Sequence, residues 1–259
     1  MKRIALIIFV LSASLLFAQS PTAGTKAWVM QQQRNSNPTV QNGNGTLGFL
    51  FDSTACGLNY TQASVKLGQR FAASCCPAVN GVVQPAPFPI SNIPFCAQTV
   101  KAFLWCVVAG NGMPITATIT DPFGNTQNFP MTMIGQDGDM CWGYTGTFTY
   151  RADVTSIANG NGNYLISGLP VDPGAANHTN DVDGATLMII YEDPTATYTG
   201  TLHMDDGCVV VPGGSTSYTM TGFTSCANST SANGFMIVAD FQQLGSQVSV
   251  NNNPTTPIA

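Results

Sequence analysis

The sequence predicts an all-β protein: an antiparallel β-sandwich of the jelly-roll type, preceded by a loop-rich, disulfide-stapled N-terminal region. Three observations lead to this class. Beyond residue 94, short apolar or alternating segments follow one another at spacings of about 8 to 14 residues, separated by Gly- and Asn-rich turns. No segment keeps a 3.6-residue apolar period for about twelve residues. All eight cysteines lie between residues 56 and 226, in a chain that opens with an export signal.

The strand candidates differ in their pattern. Residues 100–109 are nearly all apolar, which favours a strand covered on both faces, whereas residues 115–121 alternate apolar and threonine side chains. One short helix is predicted at 153–158, with Asp153 as its cap and Gly160 at its end. The remaining strand candidates are 46–52, 126–134, 145–152, 163–169, 185–192, 198–204, 207–211, 215–223 and 234–241.

Residues 1–20 form a predicted signal peptide. The positively charged Lys2 and Arg3 precede an apolar run over residues 4–17, and small residues follow it. Cleavage is expected after Ser20 or after Ala18. We therefore expect the mature chain to be secreted, in the extracellular space or at the cell surface.

Changes in composition, together with the positions of proline and glycine, divide the rest of the chain into three parts. Residues 21–95 form a predicted extended arm and a Cys- and Pro-rich loop region, where five prolines within residues 77–94 argue against a helix or a central strand. Residues 96–250 form the predicted sandwich. Residues 251–259 resemble a linker.

The low charge excludes one class of partner. Only 8% of the residues are charged, and the formal net charge is −5. The chain therefore offers no basic stripe for a phosphate backbone, and nucleic acid is not an expected partner. After signal cleavage we expect no membrane insertion.

The cysteines are expected to form disulfides, because the destination of the chain is oxidising. Eight cysteines allow 105 pairings, so the sequence does not fix the connectivity. We expect the first four to staple the N-terminal region and the last four to link strands of the sandwich. Zinc is disfavoured because there is no Cys-x-x-Cys pair. The cysteines are Cys56, Cys75, Cys76, Cys96, Cys106, Cys141, Cys208 and Cys226.

Two pairs of aspartates are candidate metal ligands. Asp137 with Asp139, and Asp181 with Asp183, each place two carboxylates on one side of an extended segment, a geometry that suits Ca²⁺. Both pairs also lie in Gly- or Asn-rich turns, where aspartate commonly accepts hydrogen bonds from the backbone. Calcium is the one cofactor considered, and no other is expected.

A catalytic set is harder to assemble from this sequence. Glu192 is the only glutamate and the best candidate for a general acid, with Asp193 or Asp205 as the second carboxylate of a carbohydrate-active enzyme. The two histidines, His178 and His203, suggest a metal site with nearby aspartates, and His203 shares a strand face with Asp205. No contact between these segments follows from the sequence, so we expect no enzymatic activity.

Aromatic residues offer a further binding hypothesis. Trp142 and Tyr144, beside a turn, are the candidates for a sugar-stacking face, whereas Trp105 lies in the most apolar strand and is expected in the core. Asn-rich loops near 159–163 and 228–233 would add hydrogen-bonding surface.

Residues 100–240 contain several short motifs in a characteristic order. They are Val100-Lys-Ala-Phe-Leu-Trp105, Cys141-Trp-Gly-Tyr144, Tyr150-Arg-Ala-Asp-Val154, Gly160-Asn-Gly-Asn-Tyr164, Asp183-Gly-Ala-Thr-Leu187, Ile190-Tyr-Glu-Asp-Pro194 and Gly234-Phe-Met-Ile-Val-Ala-Asp240. This region resembles an uncharacterised extracellular β-sandwich module of large bacterial cell-surface and adhesin-type proteins. The resemblance implies a surface or secreted module and assigns no reaction to it.

Against that resemblance, Cys106 and Cys208 look like additions, which implies that they pair with each other and that Cys141 pairs with Cys226. A C-terminal sorting domain is not recognised. The expected function is that of a secreted or cell-surface structural or binding module. Its expected partners are other surface proteins, glycans or copies of itself, joined by strand addition through the N-terminal arm.

Overall fold

The computed structural model describes residues 45–67, 69–70, 79–139, 144–171, 180–211, 217–221, 233–237, 249–250 and 253–254. These residues form strands, turns and loops. The strands are β1 (Thr46–Cys56), β2 (Leu58–Lys66), β3 (Gln69–Arg70), β4 (Val79–Asn80), β5 (Ala86–Ile90), β6 (Gln98–Gly110), β7 (Ile115–Thr120), β8 (Thr126–Asp137), β9 (Gly146–Asp153), β10 (Gly162–Ser167), β11 (Asn180–Glu192), β12 (Thr199–Cys208), β13 (Ser249–Val250) and β14 (Asn253–Pro254).

Eight strands form one sheet in the order β2-β11-β6-β9-β8-β7-β10-β5, and each neighbouring pair is antiparallel. The predicted all-β, antiparallel class is confirmed. The sequence predicted two stacked sheets, but here the long strand β8 joins both halves: its first half pairs with β7 and its second half with β9. The sheet therefore curls into a nearly closed barrel.

The two end strands of the sheet, β2 and β5, lie side by side and leave a seam. Pro87 and Pro89 explain why no ladder closes it. Proline has no N–H, so Ala86, Phe88 and Ile90 must form the hydrogen-bonded pairs with β10, and the two proline nitrogens face the other edge. The seam is bridged by isolated bonds: Thr61 Oγ1 donates to the Ser91 carbonyl (2.8 Å), and the Val82 amide donates to the Lys66 carbonyl (2.8 Å).

The region predicted to be an arm and loops contains five strands, and three of them, β1, β2 and β5, belong to the barrel or to the ribbon that packs on it. β1 begins at the predicted strand start, Thr46, but continues to Cys56. β2 pairs with β11 along its whole length, although its sequence was not recognised as a strand. The Pro-rich β5 forms an end strand, where proline is tolerated because one edge needs no donor.

Strands β1 and β12 form a separate two-stranded ribbon on the outside of the barrel. The predicted strands 198–204 and 207–211 are replaced by the single strand β12. Gly57 connects the ribbon to the barrel with a positive φ of 64°. A Cβ atom there would lie 2.1 Å from the Asp193 carbonyl oxygen, so only glycine fits.

Two apolar clusters lie on opposite faces of the central strands. Even-numbered residues of β6, such as Leu104 and Cys106, face the barrel interior, where Phe88, Tyr150 and Tyr164 are also buried. The odd-numbered residues of β6 face outward and are covered by the ribbon in a second cluster, which contains Phe103, Trp105, Leu50, Phe51 and Met204. The prediction that 100–109 is covered on both faces is confirmed, as is the burial of Trp105.

The disulfide pairing of Cys106 with Cys208 is not formed. Cys106 lies inside the barrel with its sulfur 3.8 Å from that of Met131, whereas the Cys208 thiol donates to the Thr147 carbonyl on the outer face of the sheet. A sheet separates the two side chains, because successive residues of a strand point to opposite faces. Cys56 and Cys96 are also free thiols, so no disulfide staples the described N-terminal strands. Cys75, Cys76, Cys141 and Cys226 lie outside the described residues.

The predicted helix at 153–158 is reduced to a single turn. Asp153 acts as the expected cap, since its carboxylate accepts the Thr155 amide at 3.0 Å. The Ile157 and Ala158 amides both donate to the Val154 carbonyl, and the chain then enters β10. Gly160 has a positive φ, as its predicted position at the end of the turn requires.

Candidate functional sites

The two aspartate pairs predicted to bind Ca²⁺ lie apart: Asp137 ends β8 and Asp139 follows it, whereas Asp181 and Asp183 lie in β11. In the register, Asp181 pairs with Ala109, Ala109 with Thr147, and Thr147 with Asp137. Three strand spacings, roughly 14 Å, therefore separate the pairs, so they do not form one site.

Asp137 acts as a backbone acceptor. Its Oδ1 accepts the Gly138 amide and its Oδ2 accepts the Val210 amide, both at 2.7 Å. Within the described part of the chain, no three acidic, histidine or cysteine side chains are placed to hold a metal ion. Calcium binding by Asp137, Asp139, Asp181 and Asp183 stays a prediction.

The predicted sugar-binding aromatic residues are only partly described. Tyr144 is half-buried, next to the start of β9, and Trp142 lies outside the described residues. A sugar-stacking role of this pair stays a prediction.

The carboxylates proposed for a hydrolase are not brought together. Glu192 ends β11 opposite Leu58, whereas Asp205 pairs with Phe49 at the other end of the ribbon. Phe49 lies seven residues from Cys56, the end of β1 that adjoins Leu58, which corresponds to roughly 20 Å of extended strand. Glycosidases need their two carboxyl groups within about 10 Å of each other. Asp193 instead shapes a turn, since its Oδ1 accepts the Thr195 amide at 2.9 Å and the Thr195 hydroxyl at 2.7 Å.

His203 lies between two carboxylates on the outer face of the ribbon. Its Nε2 is 3.4 Å from Asp205 Oδ1, which confirms the predicted shared strand face, and its Nδ1 is 3.9 Å from Asp52 Oδ1 on β1. The Phe49 ring lies 5.7 Å from the imidazole ring. The Tyr218 hydroxyl donates to Asp205 Oδ2 at 3.0 Å. The other histidine, His178, lies outside the described residues.

The cluster of Asp52, His203 and Asp205 connects the two strands of the ribbon. Asp52 and His203 are directly opposite in the antiparallel register and form a cross-strand pair. Burial raises the pKa of Asp52 above its usual value of 3.8, and the nearby imidazole partly offsets this effect. The group thus links the two strands of the ribbon, and the sequence signalled only its His203–Asp205 half.

A buried ion pair, not recognised from the sequence, attaches the ribbon to the barrel. Arg151 Nη1 on β9 donates to Asp206 Oδ2 on β12 at 2.5 Å, and Trp105 Nε1 on β6 donates to the same oxygen at 2.9 Å. The guanidinium carbon lies 5.7 Å from the centre of the Phe103 ring. One signal was available: an arginine in the middle of a strand, in a chain with only eight basic residues.

A cleft of about 430 Å³ opens between residues 93–99 and residues 158–161. Its walls are the β5–β6 connection and the loop before β10. The sequence indicated the Asn-rich loop near 159–163 as hydrogen-bonding surface, but not the opposite wall. That wall carries Phe95, whose side chain is fully exposed.

Comparison with protein-family models, with curated proteins and with solved structures finds no match to this chain. The resemblance to bacterial surface modules therefore stays a prediction. Among the described residues, no helix has the length and apolar character required to cross a membrane.

Proposed function

We propose that this chain is an exported structural or binding module of a cell surface or extracellular matrix, which joins copies of itself by strand addition. Other surface proteins are the alternative partners. The observation that carries the proposal is the β1–β12 ribbon. Its strands, of 11 and 10 residues, pair only with each other in the described part of the chain, so each has a long outer edge. Such edges are templates for an added strand.

The position of the predicted arm supports this proposal. β1 starts at Thr46, directly after the arm in the sequence. About 25 residues lie between the expected cleavage site and β1, and an extended chain of that length spans at most about 80 Å. The ribbon is about 35 Å long. The arm is therefore long enough to lie along the ribbon edge of a neighbouring copy.

Two further segments favour an intermolecular partner. The sequence predicts strands at 215–223 and 234–241, yet the described parts, 217–221 and 233–237, have no strand pairing. Four of their apolar side chains are exposed, those of Tyr218, Met220, Met236 and Ile237, whereas Phe235 packs against the second apolar cluster. Strand-forming residues without a strand partner are suited to pairing with another chain.

We propose a non-enzymatic role. The alternative, a carbohydrate-active enzyme that uses Glu192 and an aspartate, has less support because the register places Glu192 and Asp205 roughly 20 Å apart.

The experiment is light scattering coupled to size exclusion, on the mature chain over a wide concentration range. We expect a concentration-dependent increase in mass. Val29→Pro, within the apolar patch at 27–30 of the arm, should abolish this increase, because it removes a backbone donor and an apolar side chain.

Thr39→Pro is the matched control, since it adds a proline beside the native Pro38, which itself disfavours strand pairing. Association should survive in this variant. A strict monomer at every concentration, or equal loss in both variants, would show that strand addition by the arm is wrong.

A further inference from the structure

The two walls of the cleft between residues 93–99 and 158–161 are joined by hydrogen bonds. Asn161 bonds the opposite wall twice: its Oδ1 accepts the Ile93 amide at 2.9 Å, and its Nδ2 donates to the Ile93 carbonyl at 2.8 Å. Thr99 Oγ1 donates to the Ala158 carbonyl at 2.9 Å. The cleft is therefore formed without a ligand, and a preformed site lowers the entropy cost of binding.

Each wall is also fixed on its own side. In the first wall, the Ala97 amide donates to the Pro94 carbonyl and closes a turn around Phe95. In the second wall, the buried Tyr164 hydroxyl accepts the Asn159 amide at 2.8 Å and donates to the Gly160 carbonyl at 2.9 Å. These bonds fix the backbone of both turns, and with it the positions from which their side chains extend.

The cleft lining contains no charged residue. It consists of Ile93, Pro94, Phe95, Ala97, Gln98, Thr99, Ala158, Asn159, Gly160 and Asn161. A phosphate, a carboxylate or a cation would lose hydration on entering this cleft and would gain no opposite charge. The lining therefore selects an uncharged ligand.

Two features of the lining match the surface of a sugar. The exposed Phe95 ring, at the edge of the cleft, offers a flat apolar face on which the C–H face of a pyranose ring can lie. Gln98 and Asn159 are exposed, and in the described part of the chain no hydrogen bond uses their side-chain amides. Each amide can both donate to and accept from hydroxyl groups.

We infer that this cleft is a binding site for an uncharged oligosaccharide, with Phe95 as the stacking platform and the amides of Gln98 and Asn159 as hydroxyl partners. An uncharged, hydroxyl-rich ligand with apolar ring faces satisfies the neutral lining, the amides and the exposed ring together. The site lies apart from the β1–β12 ribbon, so it does not depend on the proposed strand addition.

The test is isothermal titration of the full mature chain with six uncharged hexasaccharides: those of the cellulose, chitin, xylan, mannan, laminarin and maltose series. We expect binding of at least one of them, weakened about tenfold or more in Phe95→Ala. Phe123→Ala is the matched control, since Phe123 is also largely exposed but lies in the β7–β8 turn and does not line the cleft. It should bind as the unchanged chain does.

Gln98→Ala and Asn159→Ala should each weaken the same interaction, and circular dichroism verifies the fold of every variant. Because both phenyl rings are exposed, neither phenylalanine substitution removes core packing. The inference is overturned if none of the six hexasaccharides binds, or if Phe95→Ala binds as tightly as Phe123→Ala. Binding lost equally in both phenylalanine variants would also overturn it.

Discussion

Removing the Asp206 carboxylate tests whether the ribbon is held on the barrel by the buried ion pair. The side chains of Arg151 and Asp206 are only 8% and 15% exposed, and Asp206 Oδ2 accepts bonds from both Arg151 and the Trp105 indole. Asp206→Ala leaves a buried guanidinium and an indole N–H without their acceptor. An unpaired buried charge costs about 3–5 kcal/mol. That is a large part of the total stability of a domain, about 5–15 kcal/mol.

The assay is urea unfolding of each variant, followed by tryptophan fluorescence and by far-ultraviolet circular dichroism. Arg151→Met and Asp206→Leu are made alone and together. The double variant removes both charges, so we expect it to lose much less stability than the sum of the losses in these two single variants. Lys101→Met is the control, because the Lys101–Asp153 pair (2.8 Å) is partly exposed and should contribute less than about 1 kcal/mol. A loss below about 1 kcal/mol for Asp206→Ala, or additive single losses, would refute the reasoning.

Two other predictions concern acid stability and thiol reactivity. Hydrogen bonds, first of all from the Asn125 side chain, lower the pKa of Asp121 below 3.8. The contribution of the ionised Asp121 to stability is therefore present above pH 3.8 and is lost as the pH falls through the lowered pKa. In Asp121→Asn the melting temperature should therefore depend less on pH in this acidic range, and an unchanged slope would contradict the prediction. Burial raises the pKa of the Cys106 and Cys208 thiols, so iodoacetamide should leave both unmodified in the folded chain. After unfolding without a reductant, both should be alkylated, as measured by mass spectrometry. Modification that requires a reductant would instead show a disulfide.

The sequence predicts best where local pattern and burial agree. The apolar run at 100–109 was correctly predicted to be covered on both faces, since each face of β6 packs against a different apolar cluster. The alternation at 115–121 marks β7 because Ile115, Ala117 and Ile119 all point into the barrel. In these strands the side chains alone define which face is buried.

The parts that sequence could not predict depend on distant partners. Trp105 and Asp206 are 101 residues apart, and no local pattern indicates that they meet. β5 was missed because a pair of prolines normally argues against a strand, a rule that fails where one edge needs no donor. The pairing of Cys106 with Cys208 was predicted from a resemblance, which does not reveal that the two thiols lie on opposite sides of a sheet.

The seam between β2 and β5 also affects the mechanics of the barrel. In a barrel closed by a complete ladder, strand number, tilt and stagger are linked, so a change in one strand propagates around the ring. Here Pro87 and Pro89 interrupt the ring of hydrogen-bonded strands, and the end strands β2 and β5 meet mainly through side chains and isolated bonds. Each end strand keeps its ladder to its neighbour in the sheet, β11 or β10, so a relative shift of the two sheet edges would break only these isolated bonds. The seam is therefore where we expect the barrel to tolerate insertions and deletions in the adjoining loops best.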